Sequence, residues 1–231
     1  MSQPDGYLAV PAADAPQRGA VLVLHPWWGL NDTIKTFCQR LAGEGFVVFA
    51  PDLYHGKVVS TIADADAMSS ALGSNYKQAV AEVGEAAAFL KARADVGDKG
   101  IALVAFSMGV FYGLYLSVTQ PDLVRAVVVF YGTGLDDFSG SKADFLGHFA
   151  EADEFEPLPN VEHMEQAIKA AGRPVTFHIY PGTGHWFFEP DRTDAYNAEA
   201  ASLAWERTLD FLKRSGRGTS PLRPEGEGDG G

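Results

Sequence analysis

The stretch that decides the fold is Ile101–Gly109, which reads Ile-Ala-Leu-Val-Ala-Phe-Ser-Met-Gly. Its first six residues form an uninterrupted apolar run, typical of a β-strand that is covered on both faces. Helical spacing of apolar residues then begins at Met108. The segment Ile101–Val118 has no charged residue, and an uncharged stretch of this length raises the question of a membrane span. The Ser-Met-Gly interruption favours a buried strand followed by a buried helix instead.

The same alternation of short apolar runs and helical patterns continues along the chain. The predicted strands are Ala20–Leu24, Phe46–Phe49, Ile101–Phe106, Ala126–Phe130, Phe145–Phe149 and Val175–Tyr180, with an additional edge strand at Tyr7–Val10. The predicted helices are Asp32–Gly43, Asn75–Ala94, Met108–Thr119, Asn160–Ala171 and Thr193–Lys213. Strands that alternate with helices form right-handed crossovers. We therefore expect a single α/β domain with a mostly parallel central sheet and helices on both faces.

Length and composition agree with one large soluble domain. The chain has 231 residues, of which 46% are hydrophobic and 21% are charged, and both fractions are ordinary for globular proteins. We assign residues 1–214 to the domain. The segment Ser215–Gly231 contains six glycines and no aromatic residue. Because such a segment buries too little apolar surface to offset its ordering entropy, we predict a disordered tail over residues 215–231.

Charge and cysteine content exclude several classes of function. The formal net charge is −12, so the chain has no basic footprint for nucleic acid or for an anionic membrane. A single cysteine, Cys38, excludes an intramolecular disulfide and a multi-thiolate metal site. The first residues, Met1–Val10, have neither a basic segment nor an apolar one, so we expect no signal peptide and a cytoplasmic protein.

Ser107 is the candidate nucleophile. The sequence Ala105-Phe-Ser-Met-Gly109 resembles the G-x-S-x-G elbow, in which a sharp turn between strand and helix exposes the serine oxygen. Small residues are needed on both sides of the serine because neighbouring backbone crowds the turn. Ala105 replaces the usual first glycine. The alternative, a serine that only caps a helix, is common at such a junction.

The order of the other polar loops favours the catalytic interpretation. In this architecture the nucleophile is followed first by an acid and then by a histidine. His185 follows the predicted strand Val175–Tyr180 in a glycine-rich turn and is the candidate base. Several carboxylates follow the strand Phe145–Phe149, and these residues alone do not decide which of them is the acid. The candidates are Glu151, Asp153, Glu154 and Glu156.

The loop after the first parallel strand supplies the remaining parts of a predicted site. A tetrahedral intermediate requires two backbone N–H donors for its oxyanion. Met108 and Trp27 are the expected donors, since Pro26 has no N–H. Aromatic residues flank the site in sequence and predict an apolar pocket, although such pairs are as often plain core. Beyond Trp27, they are Trp28, Phe111, Tyr112, Trp186 and Phe187.

Taken together, these segments resemble the dienelactone hydrolase family of α/β-hydrolases, from about Gly6 to Lys213. The most specific motifs are HPWWGLND at 25–32, FVVFAPDLYHGK at 46–57, AFSMG at 105–109, AEADEFEP at 150–157 and YPGTGHWF at 180–187. The resemblance implies that Asp153, four residues before Pro157, is the acid. It also implies a single α/β-hydrolase domain.

Two departures from the family pattern concern the nucleophile and the substrate. Well-known members use a cysteine nucleophile and a nearby glutamate, and the matching positions here are Ser107 and Pro26. Those members also hold a substrate carboxylate with two arginines. This chain has His55-Gly56 and Phe188-Glu189 at those places. Hydrolysis of dienelactone itself is therefore not what the sequence predicts. Lys57 and Arg192 lie near the two arginine positions in sequence and are possible replacements.

The resulting hypothesis is a serine hydrolase that cleaves a small-molecule ester or lactone without a metal or organic cofactor. One alternative is a non-catalytic protein of the same fold that only binds a ligand. Another is an acyl transferase or peptidase that uses the same triad. The sequence does not distinguish among substrates of these classes, and it does not give the oligomeric state.

Overall fold

The apolar runs of the sequence form the centre of one mixed β-sheet. The computed structural model describes residues 2–93, 96 and 100–215, and over these ranges it has seven strands and six helices. In chain order they are β1 Gly6–Ala9, β2 Ala20–Leu24, α1 Asp32–Gly43, β3 Val47–Pro51, α2 Ile62–Ser74, α3 Tyr76–Lys91, β4 Ile101–Phe106, α4 Gly109–Thr119, β5 Val124–Phe130, β6 Asp144–Ala150, α5 Leu158–Ala170, β7 Val175–Tyr180 and α6 Ala198–Ser215.

The strands follow the order β1-β3-β2-β4-β5-β6-β7 across the sheet. The edge strand β1 pairs antiparallel to β3, and all the other pairs are parallel. The register places the last residues of neighbouring strands side by side, with Ala105 opposite Leu24 and Phe106 opposite Phe130. The carboxyl ends of β2, β4, β5, β6 and β7 therefore share one edge of the sheet, where ligands bind in such folds.

Two apolar cores cover the two faces of the sheet. One core contains Phe37 and Leu41 of α1 together with Ala204 and Leu212 of α6. The other contains buried residues of α3, α4 and α5, such as Val83. Because both faces are covered, every residue of the central strands β2 and β4 is buried, which explains their continuous apolar sequence. The predicted fold class is confirmed.

One helix was not predicted. Helix α2 has the sequence IADADAMSSALGS, and Ala65 is its one fully buried residue. A helix that buries so little has no apolar stripe for a sequence pattern to detect. Its beginning does have a local signal, since the Thr61 hydroxyl accepts a hydrogen bond from the Asp64 N–H at 3.2 Å, as an N-cap residue does.

Other boundaries differ by a few residues, most clearly at the last helix. The prediction began this helix at Thr193, whereas α6 begins at Ala198. Asn197 explains the difference, because its side-chain oxygen accepts a hydrogen bond from the Ala200 N–H at 3.1 Å and so caps the helix. The predicted tail, residues 215–231, lies outside the described residues from 216 onward. Within the described ranges, no helix is long and apolar enough to cross a membrane.

Candidate active site

Ser107 lies at the sharp turn between β4 and α4. Its φ is +45°, in the left-handed region that a residue with a side chain rarely adopts. Its N–H donates a hydrogen bond to the Phe130 carbonyl of the neighbouring strand at 2.9 Å, and its carbonyl accepts one from the Val110 N–H at 2.9 Å. The turn is thus held on both sides in a strained conformation, a feature that is common at functional sites.

Small residues around the turn have identifiable neighbours. A Cβ atom at Gly109 would lie 2.8 Å from the His25 carbonyl oxygen and 2.9 Å from that of Leu24, so no larger residue fits there without backbone movement. Ala105 is fully buried, and its Cβ would lie 3.4 Å from a Cβ built on Gly113 in α4. Gly113 therefore leaves room for the methyl group at the position where the motif usually has glycine.

A continuous chain of hydrogen bonds joins the three loops that follow β4, β6 and β7. Ser107 Oγ is 2.9 Å from His185 Nε2, and His185 Nδ1 is 2.7 Å from Asp153 Oδ2. The side chains of His185 and Asp153 are only 6% and 2% exposed. Asp153 Oδ1 also accepts the backbone N–H groups of Phe155 and Glu156, each at 2.9 Å. The carboxylate is therefore fixed, and it fixes the orientation of the imidazole.

His25 holds the loop that precedes Trp27. Its ring is fully buried; its Nδ1 is 2.8 Å from the Pro26 carbonyl oxygen, and its Nε2 accepts the Leu53 N–H at 3.2 Å. Because Nε2 accepts, Nδ1–H is the donor to Pro26. Burial lowers the pKa of His25, which favours this neutral form. Trp27 and Met108, the expected oxyanion donors, both line the cleft that opens above Ser107.

This cleft has a volume of about 220 Å³. It is formed by the residues that follow β2, β4, β5, β6 and β7, and its lining comprises Trp27, Ser107, Met108, Phe111, Tyr131, Gly132, Thr133, Phe155, Glu156 and His185. Larger cavities elsewhere on the described surface do not contain Ser107 or His185. We therefore assign the site to the smaller cleft on its chemistry.

The aromatic residues expected to line the pocket are distributed differently. Phe111 lines the cleft, whereas Trp28, Tyr112, Trp186 and Phe187 are not among its described lining residues. All four are buried in the two cores. The reason is geometric, because consecutive residues of a helix or turn point in different directions. Trp186 still packs against the site, because its ring contacts the His185 ring edge to face with centroids 5.0 Å apart.

A buried pair lies beneath the histidine. The Tyr131 ring packs against His185 at 4.9 Å between centroids, and its hydroxyl donates a hydrogen bond to Glu189 Oε1 at 2.7 Å. Glu189 is fully buried, and its Oε2 has no hydrogen-bond partner among the residues that the structure describes. Burial raises the pKa of Glu189 to about 8, although the bond from Tyr131 acts in the opposite direction. Burial, and then the carboxyl of Glu189, raises the pKa of Tyr131.

Neither candidate replacement for the arginine pair reaches the cleft. The Arg192 guanidinium lies over the Trp28 ring, 3.7 Å from its centroid, and donates a hydrogen bond to the Ser60 carbonyl at 3.3 Å. Lys57 lines a separate cavity between the β3–α2 loop and α3. Glu189 points into the core and not toward substrate. The described lining of the cleft therefore contains no lysine or arginine.

Comparison with known proteins agrees with this fold. The model of the dienelactone hydrolase family matches residues 5–216. The chain belongs to the dienelactone hydrolase family. Among curated relatives of this family member, "Protein usf" of Aquifex pyrophilus is 33% identical over 216 residues, covering 90% of this chain and 92% of that protein. A putative carboxymethylenebutenolidase of Aquifex aeolicus is 31% identical and covers 90% of this chain and 92% of its own length.

Solved structures of similar proteins have the same architecture. The crystal structure of a putative dienelactone hydrolase from Klebsiella pneumoniae superposes with a TM-score of 0.76 at 26% identity, covering 90% of this chain and 91% of that one. A dienelactone hydrolase-like promiscuous phosphotriesterase from metagenomic libraries gives a TM-score of 0.81 at 20% identity, covering 90% and 91%. At that identity the second likeness concerns the fold alone. This dienelactone hydrolase family member is thus an α/β-hydrolase.

Sequence reasoning did not identify four residues that line the cleft of this family member. Tyr131, Gly132 and Thr133 directly follow β5, and Phe155 lies in the acidic loop after β6. The signal for the first three was their place after a parallel strand, since the carboxyl ends of all such strands meet at one edge. Glu156, which was only one of four candidate acids in the sequence, lines the cleft as well.

Proposed function

We propose that this protein hydrolyses small carboxylic esters or lactones, with Ser107 as nucleophile, His185 as general base and Asp153 as the acid that orients His185. The observation that supports the proposal is the chain of hydrogen bonds from Ser107 Oγ through His185 to Asp153, at 2.9 and 2.7 Å. Membership of a hydrolase family and the strained turn at Ser107 support it independently.

The reaction has two halves. In the first, Ser107 Oγ forms a bond to the substrate carbonyl carbon while its proton passes to His185 Nε2, and the alkoxy group then departs with that proton. In the second, a water molecule attacks the acyl carbon and loses a proton to His185, which passes it to Ser107 Oγ as the bond from that oxygen to the acyl carbon breaks and the acid is released. The negative oxygen of each tetrahedral intermediate would accept hydrogen bonds from the Trp27 and Met108 N–H groups.

The cleft favours a small substrate with an apolar body. Its volume of about 220 Å³ is below the range of roughly 300 to 1,000 Å³ usual for drug-sized ligands. The side chains of Trp27, Met108 and Phe111 supply apolar surface beside Ser107. A short acyl group, or a five- to six-membered lactone ring, suits this space.

The decisive experiment asks whether Ser107 is nucleophilic. We expect a fluorophosphonate probe to label the intact protein once, and Ser107→Ala to abolish labelling. A second variant, Cys38→Ala, tests the alternative nucleophile. Burial raises the pKa of the Cys38 thiol to about 12, so this variant should keep both labelling and activity. Folded protein that is never labelled would favour a binding protein without catalysis.

Ester hydrolysis should depend on Ser107 as the labelling does. We expect Ser107→Ala to lower turnover of short p-nitrophenyl esters by about 10⁴-fold or more, as loss of a triad member does elsewhere. Because the Ser107 hydroxyl faces the cleft and not the core, the melting temperature should stay within a few degrees. Retention of about a tenth of the activity would contradict the assignment.

A further inference from the structure

One carboxylate lines the cleft and is not part of the hydrogen-bonded chain. Glu156 lies in the loop after β6, three residues after Asp153, and lines the same cleft as Ser107. The other ionisable side chains of the described lining are His185 and Tyr131, neither of which is a permanent cation. The cleft therefore has a negative group with no lysine or arginine in its described lining to balance it.

Thr133 holds this carboxylate in place. Glu156 Oε2 accepts the Thr133 N–H at 2.8 Å, and Oε1 accepts the Thr133 hydroxyl at 2.9 Å. The Glu156 N–H donates to Asp153 Oδ1 at 2.9 Å. The backbone N–H and the carboxylate of Glu156 are thus both hydrogen-bonded, and the carboxylate cannot rotate into solvent without breaking two hydrogen bonds. A fixed charge acts on a ligand without the entropy cost of ordering a flexible side chain.

Aromatic rings surround the same space. The Trp27 and Phe155 rings pack edge to face with centroids 5.6 Å apart, and both line the cleft with Phe111. Phe111 and Phe155 are 37% and 44% exposed, more than a core position requires. Ring faces attract cations, and most strongly when a ligand excludes water. Aromatic faces next to a carboxylate are the combination that recognises an ammonium group.

We propose that Glu156 makes this cleft selective for esters or lactones with an ammonium group close to the scissile carbonyl. The selectivity rests on the proposed hydrolysis. We expect kcat/KM to be highest for cationic substrates, lower for neutral analogues and lowest for analogues that contain a carboxylate. The formal net charge of −12 acts in the same direction, because it raises the local concentration of cations. An anionic substrate would bring a second negative charge to Glu156 without a cation to compensate it.

The test uses substrates of matched shape. One series places the charge on the acyl side, in p-nitrophenyl esters that end in a trimethylammonium, a tert-butyl or a carboxylate group. The other series places the charge on the alcohol side, in the ester acetylcholine and its neutral isostere 3,3-dimethylbutyl acetate. In at least one series we expect kcat/KM for the trimethylammonium member to exceed that of its tert-butyl isostere by roughly tenfold. The ratio should decrease as salt is raised.

The variants separate charge from structure. Glu156→Gln removes the charge but retains an oxygen for the Thr133 N–H, so we expect the cation-to-isostere ratio to decrease to about one. Glu154→Gln is the matched control, since Glu154 is an exposed acid of the same loop and should leave the ratio unchanged. A ratio that survives in Glu156→Gln, or a ratio of one in both series of the parent, would overturn the proposal.

A binding measurement makes the proposal independent of catalysis. Titration calorimetry on the Ser107→Ala protein compares choline with 3,3-dimethylbutan-1-ol, and then repeats the comparison with Glu156→Gln added. We expect choline to bind more tightly by roughly tenfold and the advantage to be lost in the double variant. If no ester is hydrolysed and Ser107 is not labelled, the proposed hydrolysis fails, and this comparison still decides the preference of the cleft for cations. Equal binding of the two alcohols would contradict it.

Discussion

His185 and His148 both have their two ring nitrogens hydrogen-bonded, as His25 does, yet the surroundings of these two rings differ. His185 lies between the Ser107 hydroxyl and the Asp153 carboxylate at the open edge of the sheet. His148 lies between the hydroxyls of Tyr180 and Thr208, at 2.8 and 2.9 Å, inside the core. One ring has a carboxylate partner and an opening to solvent, and the other has neither.

The difference indicates what a general base requires. Burial, and then the positive charges of His178 and Arg207, lowers the pKa of His148 well below its ordinary value, so that ring stays neutral and cannot take a proton in a reaction. The Asp153 carboxylate supplies His185 with the negative charge that stabilises an imidazolium. Equal numbers of hydrogen bonds thus produce a structural histidine at one place and a candidate base at the other.

Removing the carboxylate charge should give the largest effect. We expect Asp153→Asn to lower kcat for short p-nitrophenyl esters by about 10³- to 10⁴-fold, because an amide nitrogen facing Nδ1 favours the wrong tautomer of His185. The melting temperature should change little, since an asparagine oxygen can still accept the Phe155 and Glu156 N–H groups. A loss of less than about tenfold, measured with protein shown to be folded, would remove Asp153 from the proposed mechanism.

The same contrast explains which parts of the site could be predicted. Ser107 and His185 could be predicted as candidates because each follows a predicted strand, and the carboxyl ends of parallel strands meet at one edge. Asp153 needed the family resemblance, since Glu151 and Glu154 occur in the same loop. What distinguishes Asp153 is its bonds from backbone N–H groups, which depend on the folded loop.

The lining of the cleft was less predictable for a different reason. Proximity in sequence does not say where a side chain points, and Phe111 and Tyr112 show this directly. They are consecutive in α4, yet Phe111 lines the cleft and Tyr112 is 5% exposed in the core. Helix α2 also lacked an apolar stripe in its sequence because its contribution to the core is slight. Strands and helices with a clear apolar pattern could be predicted, whereas the directions of single side chains and a helix with little buried surface could not.

The buried histidine should contribute to stability instead of catalysis. Thr208→Val removes the hydroxyl bonded to His148 Nε2 while nearly keeping the side-chain shape. We expect the free energy of unfolding to decrease by about 1 to 3 kcal/mol, because a buried ring nitrogen loses its partner. Urea unfolding measures this, and kcat/KM should stay within about twofold of the parent.

Thr176→Val provides the control for that experiment. Thr176 is an exposed residue of β7, and its replacement should change stability by about 0.5 kcal/mol or less. If Thr208→Val instead reduced kcat/KM strongly and left stability unchanged, the division between a structural and a functional histidine would be wrong.

Tyr131 connects the two histidines, and Glu189 connects to Tyr131. The Tyr131 N–H donates to the His148 carbonyl at 2.8 Å, and the Tyr131 ring packs on His185. Because burial raises the pKa of Glu189 to about 8 from an ordinary 4.5, the folded protein keeps this proton up to about pH 8, whereas the unfolded chain releases it near pH 4.5. Stability should therefore decrease as pH rises between these values and then level off, by at most about 1.4 kcal/mol per pH unit from this group.

Glu189→Gln should remove this contribution while keeping an oxygen to accept the Tyr131 hydroxyl. We expect the variant and the parent to be similar in stability near pH 5, and the variant to gain on the parent steadily up to about pH 8. Unfolding in urea at a series of pH values measures the difference, because the other groups that titrate in the same window are common to the two proteins. Glu154→Gln, at an exposed position, should show no such trend. Parallel curves for Glu189→Gln and the parent would mean that Glu189 is ionised in the folded protein, and the negative charge beneath His185 would then belong to the site.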